Sequence, residues 1–245
     1  MRATVVVPTF NEIDNIDRLL REVRASVPEA QILVVDDGSP DGTADRVETL
    51  GAELGNIEVL RRTQKNGLGN AYRVGLRHAI DAGAEICVQM DADLSHDPLV
   101  LPALIGNVEH GADLAIGSRY VPGGRTVNWP RNRRWLSRWG NRYAAGVLGL
   151  AINDATAGFR AYRSSMLEHM RFETVEAEGY GFQIEMTYRL VSSGGKVVEF
   201  PISFQDRTEG VSKMSGSIIQ EAFVLVGKLW VNDFRGRRQR RAEGG

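Results

Sequence analysis

The sequence predicts an α/β domain with a mostly parallel, doubly wound sheet, and three observations carry that expectation. Short apolar runs alternate with helix-length segments through the first 120 residues. Each run ends in turn-forming or acidic residues rather than continuing at helical period. The length of 245 residues suits one α/β domain with a substantial core, or at most two small domains.

The runs at 4–7, 32–35, 57–60, 86–90 and 114–116 read as buried strands, short and partly β-branched. Helices are expected near 13–26, 42–54, 68–82 and 98–110. The last opens on Asp97-Pro98, a capping residue followed by proline at the first helical position. Right-handed crossovers then bring the loops after the strands to one edge, where ligands bind in such sheets. Beyond residue 120 a Val-Pro-Gly-Gly turn leads into NWPRNRRWLSRWGNRYAAGVLGL, a basic and aromatic stretch. Strands at 159–162 and 196–200 flank a helix over 182–192, and an amphipathic helix is expected over 215–232. No internal repeat or long linker divides the chain. The expectation is one domain over 1–234, with halves at 1–120 and 121–234, and a disordered basic tail over 235–245.

Thirty basic and 31 acidic residues nearly cancel, so no global field draws the chain to nucleic acid or anionic lipid. Charge has to act locally. The single cysteine, Cys87, excludes an intramolecular disulfide and sits in an apolar run, where it reads as a small core residue. The N-terminal stretch lacks the apolar segment of a secretory signal. No run of about 20 apolar residues marks a membrane span. A soluble or peripheral protein is expected.

The sharpest chemical signal is Met90-Asp91-Ala92-Asp93-Leu94-Ser95-His96, directly after an apolar run. Carboxylates two apart at a strand end point the same way, and hard oxygen ligands suit Mg²⁺ or Mn²⁺. Alone, the pair reads equally as capping acids in a polar loop. The other strand ends add weight: Pro8-Thr9-Phe10-Asn11-Glu12, and Asp36-Asp37-Gly38-Ser39-Pro40-Asp41-Gly42-Thr43. Gly38 and Gly42 permit tight turns, and Asp41 or Thr43 can cap the helix that follows. Three acidic strand ends on one edge favour a nucleotide and metal site.

PTFNE, VVDDGSPDGT, MDADLSH, GSRY, DATAGFRAY, EGYGFQIE and GVSKMSG occur in that order. Together they resemble glycosyltransferase family 2 of GT-A fold, and within it the polyprenol-phosphate (dolichol-phosphate) mannose synthases. The first three motifs mark the broad family, the last four the polyprenol-phosphate branch. The resemblance implies a Rossmann-like nucleotide half and a C-terminal acceptor half. It implies that Pro8, Phe10, Glu12, Val35, Asp37, Met90 and Ala92 line the nucleotide pocket, with Asp91 and Asp93 on the metal. Ser95 stands where many relatives carry a metal-binding Gln, so it ranks below the two aspartates as a third ligand.

Transfer to a phosphate monoester needs no general base, because the nucleophile is already largely ionised near neutral pH, its second pKa being about 6. It does need cations to hold two anions together. Arg119, Arg131, Arg133, Arg134, Arg138, Arg207 and Lys213 supply them. The resemblance implies that Arg119 and Arg207 contact the donor diphosphate, and that Arg133, Ser137, Arg207 and Lys213 hold the acceptor phosphate. Some relatives have a lysine at the position of Gly181, so one family contact is missing. Asp154 reads as a support for local backbone or for Arg160, and Glu185 as a sugar contact or an internal partner. His96 reads as a supporting or surface residue.

Trp135 and Trp139 lie four apart, as do Arg134 and Arg138, giving a helix with aromatic and basic faces. Such a helix fits a membrane interface or the ordinary surface of a domain. The 215–232 stripe and the arginines after it are open to the same two readings, or to a membrane-protein partner. The expected activity is inverting transfer of mannose from GDP-mannose to polyprenyl phosphate, at the inner face of the cytoplasmic membrane. A UDP-glucose donor or a non-catalytic binding subunit are the alternatives. No nucleic-acid partner is expected.

Overall fold

The computed structural model describes residues 1–205 and 225–229. Its first half follows the alternation of the sequence: β1 (Ala3–Thr9), α1 (Ile13–Ser26), β2 (Gln31–Asp36), α2 (Thr43–Leu54), β3 (Ile57–Arg61), α3 (Leu68–Asp81), β4 (Ile86–Gln89), α4 (Leu101–Glu109) and β5 (Leu114–Ser118). Most ends shift by one or two residues from expectation, and two shifts matter for the site. Met90 lies beyond the strand. Residues 98–100 form a 3₁₀ turn before α4, set by the Asp97 side chain accepting from the Leu99 amide at 3.0 Å.

The second half contains β6 (Arg125–Val127), α5 (Arg131–Leu148), β7 (Arg160–Arg163), α6 (Ser164–His169), α7 (Gly179–Ser192), β8 (Val197–Pro201) and β9 (Ser203–Gln205). The expected strands near 159–162 and 196–200 are β7 and β8, and the expected helix over 182–192 begins one turn earlier. Strands β6 and β9 had no sequence signal. Among the described residues they pair only with each other, in parallel, and three residues are too few to show an alternation. Of the helix expected over 215–232, residues 225–229 are described and helical; the basic tail lies outside the described residues.

Seven strands form one sheet in the order β3-β2-β1-β4-β7-β5-β8, and only β7 runs against its neighbours. The chain builds outward from β1 to β2 and β3, then returns to place β4 on the other side of β1. That reversal makes the carboxyl ends of β1 and β4 the switch point, where a crevice for ligands opens.

Side chains alternate across the sheet into two apolar layers. Val5, Val7, Ile86 and Val88 pack with Ile16 and Leu19 of α1 and Leu104 of α4. Val6, Leu33 and Cys87 pack with Tyr72 and Leu76 of α3 and Phe182 and Met186 of α7. Cys87 is wholly buried, and burial pushes its thiol up to about 11, which makes it a core residue rather than a nucleophile. The close seating of α3 depends on Gly75: a Cβ there would fall 2.5 Å from Val6 Cγ1 and 2.8 Å from Val35 Cγ2. A third, smaller cluster joins Ala144 and Leu148 of α5 to Ile184 of α7 and Val226.

Candidate active site

The loops after β1 and β2 are built as one unit. Asp36 accepts from the amides of Gly38 (3.1 Å) and Ser39 (2.8 Å), and from the hydroxyls of Thr9 (2.9 Å) and Ser39 (2.6 Å). It is the turn-builder of the pair. Asp41 accepts from the Thr43 amide and hydroxyl and from the Ile13 amide, and Thr43 Oγ1 accepts from the Glu12 amide at 3.0 Å. Burial works against the Asp41 charge, yet those bonds bring its carboxyl below the usual range. Asp41 thus caps two helices at once.

Asp37 faces the other way. Its Oδ1 lies 2.9 Å from Arg62 at the end of β3, and burial raises its carboxyl above the usual range despite Arg62 and Lys65. Lys65 Nζ stands 3.7 Å above the Phe10 ring. A cleft of about 290 Å³ lined by Arg61, Arg62, Thr63, Gln64 and Asn66 opens beside this group. Pro8 is half-buried at the end of β1, whereas Val35 and Met90 are fully buried in opposite core layers. Their side chains belong to the core packing beneath the strand ends. Ala92 is also buried, beside the same loop as the aspartates.

After β4 the chain enters the acidic loop. Tyr72 of α3 donates from its hydroxyl to Asp91 Oδ1 at 2.8 Å, and the Asp91 amide donates to His96 Nδ1 at 3.2 Å. Burial and the Asp91 charge push the Tyr72 phenol well up, so it remains a neutral donor. Leu94 holds a φ of +59°, uncommon for a bulky side chain, and this turn lets the Ser95 amide reach back to Asp93 Oδ1 at 3.1 Å. Ser95 Oγ is buried with no protein partner. Two carboxylates and that hydroxyl are hard oxygen donors of the kind that Mg²⁺ and Mn²⁺ take. Among the described residues no three His, Cys, Asp or Glu side chains form a cage for a metal. An ion here would complete its shell with water and substrate oxygens.

The loops after β5 and before β7 centre on a buried pair. Asp154 is wholly buried and Arg119 is 5% exposed; Arg119 Nε lies 2.8 Å from Asp154 Oδ2 and its Nη2 lies 2.6 Å from Oδ1. Burial opposes the guanidinium charge, and Asp154 more than restores it, raising the Arg119 pKa. The Glu199 carboxylate accepts from the Asp154 amide at 2.9 Å and from the Asn153 amide at 2.8 Å. Arg119 also donates to Thr156 and lies near the rings of Tyr120, Trp129 and Phe204. Arg119 is thus tied through Nε and Nη2 to the Asp154 loop. Asp154 does not hold Arg160. Arg160 is fully buried and donates to the carbonyls of Ala155, Ala157 and Gln183 and to the Thr187 hydroxyl.

Helix α5 presents two stripes at four-residue spacing. Arg133, Ser137 and Asn141 form the inner one. Tyr120 donates to Ser137 Oγ at 2.7 Å, Asn141 donates to the Ser137 carbonyl and Thr156 Oγ1, and the Arg133 guanidinium lies 4.0 Å from the centre of the Trp129 ring. Trp135, Trp139 and Tyr143 form the outer one, stacked at 6.4 and 5.9 Å with near-parallel rings. Trp135 is 66% exposed and Trp139 44%. Glu185 is an internal partner: its Oε1 lies 2.6 Å from Arg189 Nη2. Arg207 and Lys213 lie outside the described residues.

A model of glycosyl transferase family 2 matches residues 4–171, which span β1 through α6 and contain every acidic strand end described above. The chain belongs to glycosyl transferase family 2. An undecaprenyl-phosphate mannosyltransferase of Micrococcus luteus is 48% identical over 92% of this chain and 93% of its own length. A polyprenol monophosphomannose synthase of Mycolicibacterium smegmatis is 47% identical over 98% of this chain and 89% of its own. A dolichol-phosphate mannosyltransferase of Pyrococcus furiosus is 37% identical over 90% of this chain but 61% of its own, longer, chain. Among solved structures, glucosyl-3-phosphoglycerate synthase of Mycobacterium tuberculosis, crystallised with Mn²⁺, UDP-glucose and phosphoglyceric acid, superposes with a TM-score of 0.68. It is 19% identical, over 92% of this chain and 78% of the other. That likeness places the fold in the GT-A class.

Several supports of this family 2 glycosyltransferase site escaped the sequence reading. Tyr72 belongs to the buried stripe of α3, so its hydroxyl looked like part of the core. Arg62 is one of several arginines after β3. Glu178 accepts from the Gly69 amide and pairs with Arg73, both at 2.8 Å, joining α7 to the start of α3. Only Gly67 leaves room for it, since a Cβ there would fall 2.4 Å from Glu178 Oε2. All three partnerships span distances in sequence that no local pattern records.

Proposed function

We propose that the chain catalyses inverting transfer of mannose from GDP-mannose to a polyprenyl monophosphate, releasing GDP. The reading rests chiefly on the near full-length likeness to the Micrococcus luteus and Mycolicibacterium smegmatis proteins, whose names specify mannosyl transfer or a polyprenol phosphomannose product. The acidic loop at the switch point between β1 and β4 supports it. Asp37, Arg62, Phe10 and Lys65 bind the nucleoside end of the donor. Asp91 and Asp93, with Ser95, hold Mg²⁺ or Mn²⁺, which supplies positive charge for the departing diphosphate.

An acceptor phosphate oxygen forms its bond to the anomeric carbon as the bond to the GDP oxygen breaks on the opposite face. The phosphate dianion attacks without losing a proton, so no residue is needed as a base. Glu185, paired with Arg189, is therefore left to packing. Arg133 and Ser137, with Arg207 and Lys213, hold the acceptor phosphate, and the buried Arg119–Asp154 pair keeps the loop beneath them in place.

The lipid is reached from a membrane surface at the cytoplasmic face. No helix among the described residues is long and apolar enough to cross a membrane. The exposed Trp135 and Trp139 beside Arg134 and Arg138 suit an interfacial position. Purified protein should transfer label from GDP-mannose, and not from UDP-glucose, to polyprenyl phosphate in the presence of Mg²⁺ or Mn²⁺, and chelation should abolish transfer. Transfer from UDP-glucose alone would overturn the donor assignment, and an α-linked product would overturn the inverting displacement.

A further inference from the structure

His96 is a buried titratable side chain that the proposed chemistry does not use. It is 2% exposed, and its ring lies against Phe159 (4.9 Å between centres, 13° between planes) and edge-on to Phe204 (5.6 Å, 67°). A ring held there only for packing would serve as well if it were phenylalanine. The difference lies in the ring nitrogens, of which Nδ1 accepts the Asp91 amide hydrogen at 3.2 Å. Asp91 is thereby gripped twice: Tyr72 fixes its carboxylate and His96 fixes its backbone. The turn between them is tight. Leu94 has positive φ, and a Cβ on Gly158 would stand 3.4 Å from Asp91 Oδ2 and 3.6 Å from His96 Cε1.

We infer that His96 is a positioning residue, whose Nδ1 holds the Asp91 backbone so that the Asp91 and Asp93 carboxylates face one divalent ion. Residues that orient metal ligands from behind typically change metal affinity by about 10- to 100-fold when lost. The inference rests on the metal-binding reading of Asp91 and Asp93.

Two substitutions separate the ring from the acceptor. His96→Phe keeps the aromatic packing and deletes both ring nitrogens, Nδ1 with them. His96→Asn deletes the ring and keeps an acceptor oxygen at a similar distance from the backbone. The measurement is Mn²⁺ affinity of the full chain in the presence of GDP, by electron paramagnetic resonance of free Mn²⁺, beside the Tm of each variant. His96→Phe should keep a Tm near the parent's and bind Mn²⁺ about tenfold more weakly. His96→Asn should melt earlier yet hold Mn²⁺ more tightly than His96→Phe. Parental affinity in a folded His96→Phe would overturn the inference while leaving the metal site standing. So would affinities that simply follow the two Tm values. A parent chain that binds no Mn²⁺ with GDP present would remove the metal reading, and this inference with it.

Discussion

The donor edge and the acceptor face of this molecule hold their polar groups in different ways. At the donor edge the acids sit in turns that close on themselves. Asp36 is satisfied within residues 9–39, and Asp41 within residues 13–43. On the acceptor face the supports come from far apart in the chain: Arg119 from the end of β5, Asp154 from the loop before β7, Glu199 from β8 and Asn141 from α5. The first arrangement ties two adjacent loops together through neutral donors. The second buries a charge that only a remote partner compensates, so it stands or falls as a unit.

That contrast can be broken by mutation, and the largest effect belongs to the acceptor face. Asp154→Ala leaves the Arg119 guanidinium buried without its partner, which should cost about 3–5 kcal/mol in a urea unfolding experiment. A loss below about 1 kcal/mol, the scale of an exposed pair, would show that the network is not a unit. Asp91→Ala should behave differently. Mannosyl transfer should fall by roughly 100- to 1,000-fold, while stability falls by less than in Asp154→Ala, about 1–3 kcal/mol for the Tyr72 hydroxyl left without its acceptor. Comparable losses of stability in both variants would erase the distinction.

A smaller effect is expected at the outer stripe of α5. Trp135→Ala with Trp139→Ala should weaken sedimentation with vesicles containing anionic lipid by roughly tenfold, with little change in stability, since both rings already face solvent. Retained vesicle binding in the double variant would move the membrane contact away from this stripe.

The smallest effect is at Asp37. Its folded carboxyl is raised, chiefly by burial, so its ionisation works against folding. The favourable contribution of its protonated form is present below the unfolded carboxylate pKa and lost as pH rises through the folded one. Asp37→Asn should therefore be no less stable than the parent at neutral pH, with any advantage shrinking as the parent protonates in acid. Its affinity for GDP should fall. Clear destabilisation at neutral pH would mean that the pair with Arg62 outweighs burial.

Much of the donor edge was legible because each signal is short: an apolar run, then turn-formers and acids, repeated at β1, β2 and β4. The sequence could not say which aspartate of Asp36-Asp37 builds the turn, because either spacing is compatible with an Asx-type bond. The three-residue strands β6 and β9 left no period to read. Tyr72 and Cys87 share one core layer and look alike in sequence terms, yet one carries a hydroxyl to Asp91 and the other only fills space. Arg119 was visible as a cation at the right edge. Its commitment to Asp154, 35 residues later, was not.

By itself the sequence determined the alternation of strands and helices, the edge on which the acids gather and, through the order of its motifs, the likeness to family 2. Those follow from local periodicity and turn chemistry, which act over a few residues. Tertiary structure alone decided which partner each charge takes: Asp36 its own turn and Asp37 Arg62, Arg119 Asp154 and Arg133 the Trp129 ring. It also decided that Asp91 is held from two sides, by Tyr72 of α3 and His96 of its own loop. The reason is physical. A buried charge or hydroxyl takes its role from whichever partner the fold brings within about 3 Å, and that partner can lie anywhere in the chain.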